Sequence, residues 1–367
     1  MIGAMGLIRS RLGNWLTGDL RLSRVDGPPA QCDENGLTAR CHRQWPDDFA
    51  FATAWDQLSA TSPLATTFTS RLWQENPQSQ NASHNSLRLV TVCRGPNLLA
   101  IVPLELTAGG FLETRGAAFS DYLDPLVSAK EERSVWTAIV SLLSDLWDRD
   151  VRALTLHNVR ADNPCRNILP AIAAAEGFQF EETLIGNAAV LRLPRTWEQY
   201  LASLDGHERK ELRRKIRKVE EQASARLLVC DDKSWDAQRL EQCLNLIEAA
   251  DPDKRDWLRQ NVRPFLSRIG ERLVKARLMR LLMLLINEQP AACLIDLPSR
   301  RGSMLYNSGF DPTMRQWSPG IVTFGLAIRD AIERGQDAFD MLRGEHPYKY
   351  KLGAQDSALY RLTLSPR

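Results

Sequence analysis

"RQWSPGIVTFGLAIRDAIERG", residues 315–335, decides how the chain is read. Ile321, Phe324, Ile328, Ala331 and Ile332 recur at helical spacing and give one apolar face. Ser318 falls where an N-cap is expected. Pro319 takes the first helical position, where its missing N–H costs nothing, and Gly335 follows the last turn, where a left-handed C-cap belongs. A helix that starts so abruptly after Arg315-Gln316-Trp317 has its first N–H groups either capped and solvated or aimed at an anion.

Outward from this helix the sequence alternates helices with hairpin-linked strands. "LRLVTVCR" (87–94) and "LLAIVPLEL" (98–106) read as two strands around Gly95-Pro96-Asn97, and "ARLMRLLMLLI" (276–286) and "PAACLIDLP" (290–298) as two more around a short turn. "GSMLYNSGF" (302–310), "AFDML" (338–342) and "ALYRLTL" (358–364) read as further strands. Adjacent, hairpin-linked strands predict a mixed sheet and not a doubly wound parallel one. Residues 46–195 and 196–367 share one order of elements, so the expected organisation is two α/β units meeting near residue 195. Residues 1–45 read as a poorly structured or partly helical lead-in.

Hydrophobic residues make up 44% of the 367 and charged residues 25%, the composition of a soluble globular protein. The net charge of +2 gives no global attraction to nucleic acid or membrane. Seven cysteines are scattered with no CxxC pair and the five histidines form no HExxH, which argues for reduced thiols and against a disulfide framework or structural zinc; no metal is expected. The longest strongly apolar run, Leu281 to Ile286, is too short to span a bilayer. "MIGAMGLIRSRLGNWLTGDL" lacks the apolar core and cleavage site of a signal peptide, so the chain is read as cytoplasmic with no transmembrane segment.

"SMLYNSGFDPTMRQWSPGIVTFGLAIRDAIERGQDAFDMLRGEHPYKYKLG" (303–353) resembles the CelD/BcsL-like (BioF2-like) acyltransferases of the GNAT superfamily. There a Tyr-containing strand, an SPG turn, a helix, an acidic "F-D-x-L-x-G" strand and a "G-(D/E)-x-x-Y-K" motif follow in that order. "FSDYLDPLV" (119–127) and "ERKELRRKIRKVEE" (208–221) agree with it. The resemblance implies tandem acyl-CoA N-acyltransferase (GNAT-like) domains with mixed, mostly antiparallel sheets flanked by helices, distantly similar to the Fem peptidyltransferases. The second domain (196–367) would carry the donor site and the first (46–195) would face it. In that fold the central strands splay at a bulge, an acyl–pantetheine arm enters the gap, and its pyrophosphate rests on the N-terminus of the following helix. This assigns Arg315, Trp317, Ser318, Pro319, Gly320 and Ile321 to the donor, acetyl-CoA or another acyl-CoA. After Gly320 there is no second glycine until Gly325.

Acyl transfer needs a base for the nucleophile and an acid for the leaving thiolate. "RGEHPYKYK" (343–351) offers Glu345 as base, Tyr348 as acid, and Lys349 or Arg343 to stabilise an oxyanion or hold an anionic substrate. Tyr306 lines an acyl tunnel or packs across strands. Asp311 flanks the end of its strand and is a candidate substrate-binding residue. Asp121 and Tyr122 would form an acceptor-side wall, although Asp124-Pro125 is equally turn chemistry. The basic helix 207–222 holds seven Lys/Arg against four Glu over an apolar stripe of Leu212, Ile216 and Val219. It is a solvated face, or a patch for a phosphorylated donor, an anionic saccharide or lipid-linked acceptor, or RNA; the lack of interleaved aromatics disfavours RNA. The expected activity is transfer of acetyl from acetyl-CoA to an amine or hydroxyl of a small molecule, sugar or envelope precursor. The alternatives are a Fem-type tRNA-dependent aminoacyl transferase and a non-catalytic accessory protein that keeps the fold. No DNA partner is expected and tRNA is disfavoured.

Overall fold

The strands expected from the sequence join with further ones into one sheet. In chain order they are β1 (Gln31–Cys32), β2 (Leu37–His42), β3 (Leu87–Arg94), β4 (Asn97–Leu106), β5 (Phe111–Thr114), β6 (Leu126–Val127), β7 (Ala153–Arg160), β8 (Phe178–Arg192), β9 (Ala225–Cys230), β10 (Arg280–Ile286), β11 (Gln289–Ser299), β12 (Gly302–Phe310), β13 (Ala338–Arg343) and β14 (Gln355–Pro366). The computed structural model describes residues 31–32, 36–76, 86–147 and 151–367. The quoted N-terminal stretch 1–20 lies outside them.

The sheet order is β1-β2-β3-β4-β5-β7-β14-β8-β13-β12-β11-β10-β9, with β6 on β4. Among the described residues only β5/β7 and β12/β13 pair in parallel; the remaining neighbours are antiparallel. The two halves trade strands. The C-terminal β14 lies between β7 and β8, and β8 bridges β14 to β13. The lead-in reading of residues 1–45 is corrected in part. Residues 37–42 are a strand because Leu37, Ala39 and Cys41 alternate inward against β3. β5 and β9 also escape the sequence reading: β5 has four residues, and β9 lies half-buried at the sheet edge.

The helices are α1 (Phe49–Thr61), α2 (Arg71–Gln74), α3 (Glu132–Trp147), α4 (Cys165–Ala175), α5 (Trp197–Ser203), α6 (Gly206–Gln222), α7 (Ala237–Ala250), α8 (Arg255–Trp257), α9 (Arg263–Lys275), α10 (Pro319–Glu333) and α11 (Pro347–Lys351). Three of them position the site. The basic α6 buries the expected stripe of Leu212, Ile216 and Val219 against α10. Gly325 is the point of closest approach, since a Cβ there would lie 2.9 Å from Leu212 Cδ1. On the opposite face of the sheet α7 lies on β12 at Gly309, where a Cβ would meet the backbone nitrogen of Ile247 at 2.3 Å.

The start of α10 differs from expectation. Ser318 is left-handed (φ 50°) and its side chain caps nothing. Residues Pro312–Trp317 form a 3₁₀ turn, and Ser318 N–H closes it on the Arg315 carbonyl at 3.0 Å, so the chain must reverse at 318 to enter the helix. The other end is as expected: Gly335 has φ 71° and donates to the Ile332 carbonyl, while Gln336 donates to Ala331.

Candidate active site

The parallel ladder between β12 and β13 ends at Met304 opposite Asp340. Each strand is bulged near that point. On β12, Tyr306 is the extra residue against β11, because Asp296 opposes Leu305 while Ile295 opposes Asn307. On β13, the register with β8 shifts between Asp340 and Arg343, and Leu342 takes a left-handed φ of 55°. Past these bulges a cavity of about 960 Å³ opens. Ser318, Pro319, Gly320 and Ile321 of α10 line it from one face of the sheet. Phe119 and Asp121 of the first half line it with Trp257 from the other, so the cavity passes through the splay.

At the α10 side the N–H groups of Gly320 and Ile321 have no acceptor among the described residues, while Val322 N–H is bound to the Ser318 carbonyl at 3.1 Å. A Cβ on Gly320 would approach only the Phe310 ring, at an ordinary 3.6 Å, so the backbone faces open space. Two free N–H groups at the positive end of a helix fit a phosphate oxygen. Arg315 lines the same cavity. Trp317 does not; its ring lies 5.2 Å below the Lys218 ammonium, which donates to the Gln316 carbonyl at 2.9 Å and ties α6 to the turn. Asp311 is corrected likewise: it is not at the cavity but caps the 3₁₀ turn, accepting from Thr313 N–H at 2.8 Å.

The loop after β13 splits the sequence assignments. Arg343, His346, Tyr348 and Lys349 line the cavity. Glu345 is exposed and does not, so its reading as base is corrected; in a short turn after a strand, neighbouring side chains diverge. Lys349 is also reassigned. Its buried ammonium donates to the carbonyls of Met341 (2.7 Å), Leu342 (3.0 Å) and Arg343 (2.8 Å), the groups freed by the bulge. All three N–H donors are used, which leaves none for an oxyanion. Burial pushes its pKa down to about 8, with partial compensation from Asp121 and Asp340. Tyr348 packs on Phe324, with ring centroids 4.9 Å apart. Burial pushes its phenol up to about 12, offset in part by a hydrogen bond with Ser308 across the splay. His346, quoted in the motif but given no role from sequence, stacks on Tyr348; burial and the Lys349 charge lower its pKa.

Asp121 reaches the cavity from the first half and accepts from Arg343 Nε at 2.7 Å on Oδ1. Its other oxygen takes no donor among the described residues. Tyr122, its neighbour, points elsewhere: its hydroxyl donates to Asp340 Oδ2 at 2.6 Å, and the pair lines a separate cavity of about 500 Å³. Its role as an acceptor wall of the donor cavity is therefore corrected, because alternate residues of an extended loop face opposite ways. Tyr306 packs between the halves and also reaches the cavity. Its ring lies edge-on to Trp73 and against Phe68 of the first half, while the residue lines the cavity with no partner for its hydroxyl among the described residues. Burial raises its phenol pKa. Phe119 stacks on Trp257 at 5.7 Å, an aromatic lip joining the halves that only tertiary contact reveals. Among the described residues, no three His, Cys, Asp or Glu side chains gather as a metal site requires, and no helix is long and apolar enough to cross a membrane.

The class this architecture defines is a GNAT-like fold, a mixed α/β sheet flanked by helices. Residues 206–350, which carry β12, the splay and the start of α10, match the family model described as an acetyltransferase (GNAT) domain. The crystal structure of FemX is similar with a TM-score of 0.61 at 10% identity, covering 84% of this chain and 95% of that one. A conserved protein of unknown function from Bacteroides thetaiotaomicron VPI-5482 is similar with a TM-score of 0.54 at 13% identity, covering 86% and 97%. No curated protein matches the chain.

Proposed function

We propose that the protein is an acyltransferase that moves an acyl group, acetyl in the simplest case, from an acyl-CoA to an amine or hydroxyl. The observation that carries this reading is the through-sheet cavity, with a free helix N-terminus at one mouth and the Asp121 carboxylate of the facing half at the other. The pyrophosphate of the donor lies on Gly320 and Ile321 N–H, with Arg315 beside it. The thioester sits in the splay, where the inner edge of β12 beyond Met304 presents backbone groups to a developing oxyanion. The acceptor enters past the Phe119–Trp257 lip.

Asp121, in place of Glu345, takes the proton from the attacking nitrogen or oxygen. Arg343 fixes its carboxylate so that the free oxygen faces the cavity. As the tetrahedral intermediate collapses, the C–S bond breaks and Tyr348, kept protonated by its raised pKa, donates to the leaving thiolate. Native mass spectrometry and calorimetry with acetyl-CoA, longer acyl-CoAs and charged tRNA test the donor class. One equivalent of an acyl-CoA should bind. Binding of charged tRNA alone would replace this reading with aminoacyl transfer, and binding of none would favour an accessory protein.

A further inference from the structure

Two segments far apart in the chain, "SDYLDP" (120–125) and "FDMLRG" (339–344), meet at one half-buried carboxylate. Asp340 uses both oxygens. Oδ1 accepts the N–H of Leu342 at 2.8 Å, which holds the left-handed turn where β13 bends away from β8. Oδ2 accepts the Tyr122 hydroxyl at 2.6 Å, which holds the loop of the first half. Beside this junction the same two segments are bonded once more, and β7 braces both. Arg343 donates to Asp121 Oδ1 at 2.7 Å and to Asn158 Oδ1 at 3.3 Å, and Asn158 in turn donates to the Ser120 carbonyl at 2.8 Å. Arg160 lies over the Tyr122 ring at 4.9 Å and binds Asp124 at 2.6 Å.

Neither Tyr122 nor Asp340 lines the donor cavity, so neither touches the reacting atoms; both act through neighbours that do. Simple adhesion of two halves is served at lower desolvation cost by apolar contact. A half-buried carboxylate that binds one group from each half instead fixes their relative geometry. We propose that Tyr122 and Asp340 are positioning residues for acyl transfer: their bond latches the first half to the bent end of β13 and so presents Asp121 to the donor cavity. Burial pushes Asp340 up to about 6, with Tyr122, the Leu342 N–H and Arg160 acting in the other direction and Asp121 adding to the rise. The inference rests on Asp121 as the base in the reading above.

The test uses the full chain and acetyl-CoA without added acceptor. Water then attacks the thioester, the C–S bond breaks, the proton passes to the thiolate, and the released thiol is read with a thiol reagent. Tyr122→Phe should lower this rate about tenfold while acetyl-CoA affinity stays within about twofold. In an Asp121→Asn background the same change should cost nothing further, because the latch works through Asp121. Asp340→Asn, which keeps an acceptor for Leu342 N–H and a polar partner for Tyr122, should restore most of the rate that Asp340→Ala loses. An equal loss with and without the Asp121 carboxylate, or no loss, overturns the proposal. Hydrogen exchange reads the latch without turnover: faster exchange over 119–124 in Tyr122→Phe supports it and unchanged exchange overturns it. A wild-type chain that binds neither acetyl-CoA nor a longer acyl-CoA refutes the acyl-transfer reading itself, and the latch is then judged on exchange alone.

Discussion

Lys349 shows how much a single side chain can do at the site without reacting. Three carbonyls released by the β13 bulge converge on its ammonium. Lys349→Met should leave them unpaired and destabilise the protein by about 3 kcal/mol, visible as a lower denaturant midpoint. Retained stability with weaker acceptor binding would return Lys349 to the anion-holding role suggested by the motif alone. Glu345→Gln should leave turnover unchanged, since its carboxylate stands outside the cavity; a rate loss of two or more orders of magnitude would make it the base after all. His42 supplies a pH signature. It is buried with Nε2 2.9 Å from Thr91 Oγ1, and burial pushes its pKa down to about 4. Between that value and the ordinary 6.5 the unfolded chain holds a proton that the folded one does not, so this contribution grows as pH rises and is lost on acidification. Asp296 and Asp340, both pushed up to about 6, act with the opposite sign, so wild type must be compared with His42→Gln. From pH 7 to pH 5 the wild type should lose on the order of 2 kcal/mol more than the variant in urea unfolding; equal losses would mean that His42 is protonated in the folded state. At this scale residue types were legible in the sequence, and orientation was not. "RGEHPYKYK" named the right loop, yet only the bulge and the exact turn decide that His346 and Tyr348 face the cavity, that Lys349 is consumed by carbonyls and that Glu345 faces solvent.

Elements were the most legible level, because periodicity survives tertiary packing wherever one face is buried. The apolar face of α10, its glycine C-cap and the stripe of α6 all appear where the spacing places them. What failed were features that local pattern does not carry: the short β5, the edge strand β9, and the left-handed Ser318 set by a preceding 3₁₀ turn. Gly325 gains a reason here. It is the next glycine after Gly320, yet its hydrogen faces Leu212 and Ile216 of α6. Gly325→Val should overpack that helix crossing and cost about 1–3 kcal/mol, read as a fall in Tm. An unchanged or higher Tm would show that α6 moves freely on α10, and would loosen the link from the basic helix to the donor turn.

Across the whole molecule the unbroken sheet makes the halves interdependent. The like order of elements in the two halves suggests a seam near residue 195, but β14 enters between β7 and β8, and β8 pairs with β13. A fragment of residues 196–367 lacks β8 and should give no cooperative unfolding transition, whereas residues 178–367 should restore one by circular dichroism; a cooperative 196–367 fragment would make the strand exchange incidental. Strand exchange of this kind depends on pairings between distant segments, which no single-segment pattern encodes. The same interlock brings Asp121, with Ala118 and Phe119, to a cavity otherwise built from the second half. The central claim is that an acyl donor lies with its phosphates on the α10 N-terminus and its thioester in the splay. Calorimetric titration of acetyl-CoA into the wild type and Gly320→Asp tests it most directly, because an added Cβ there meets nothing closer than Phe310 at 3.6 Å and the new carboxylate repels phosphate. One equivalent should bind to the wild type, and the variant, with its Tm preserved, should bind at least about tenfold more weakly, about 1.4 kcal/mol. Equal affinity in a folded Gly320→Asp protein would contradict the account.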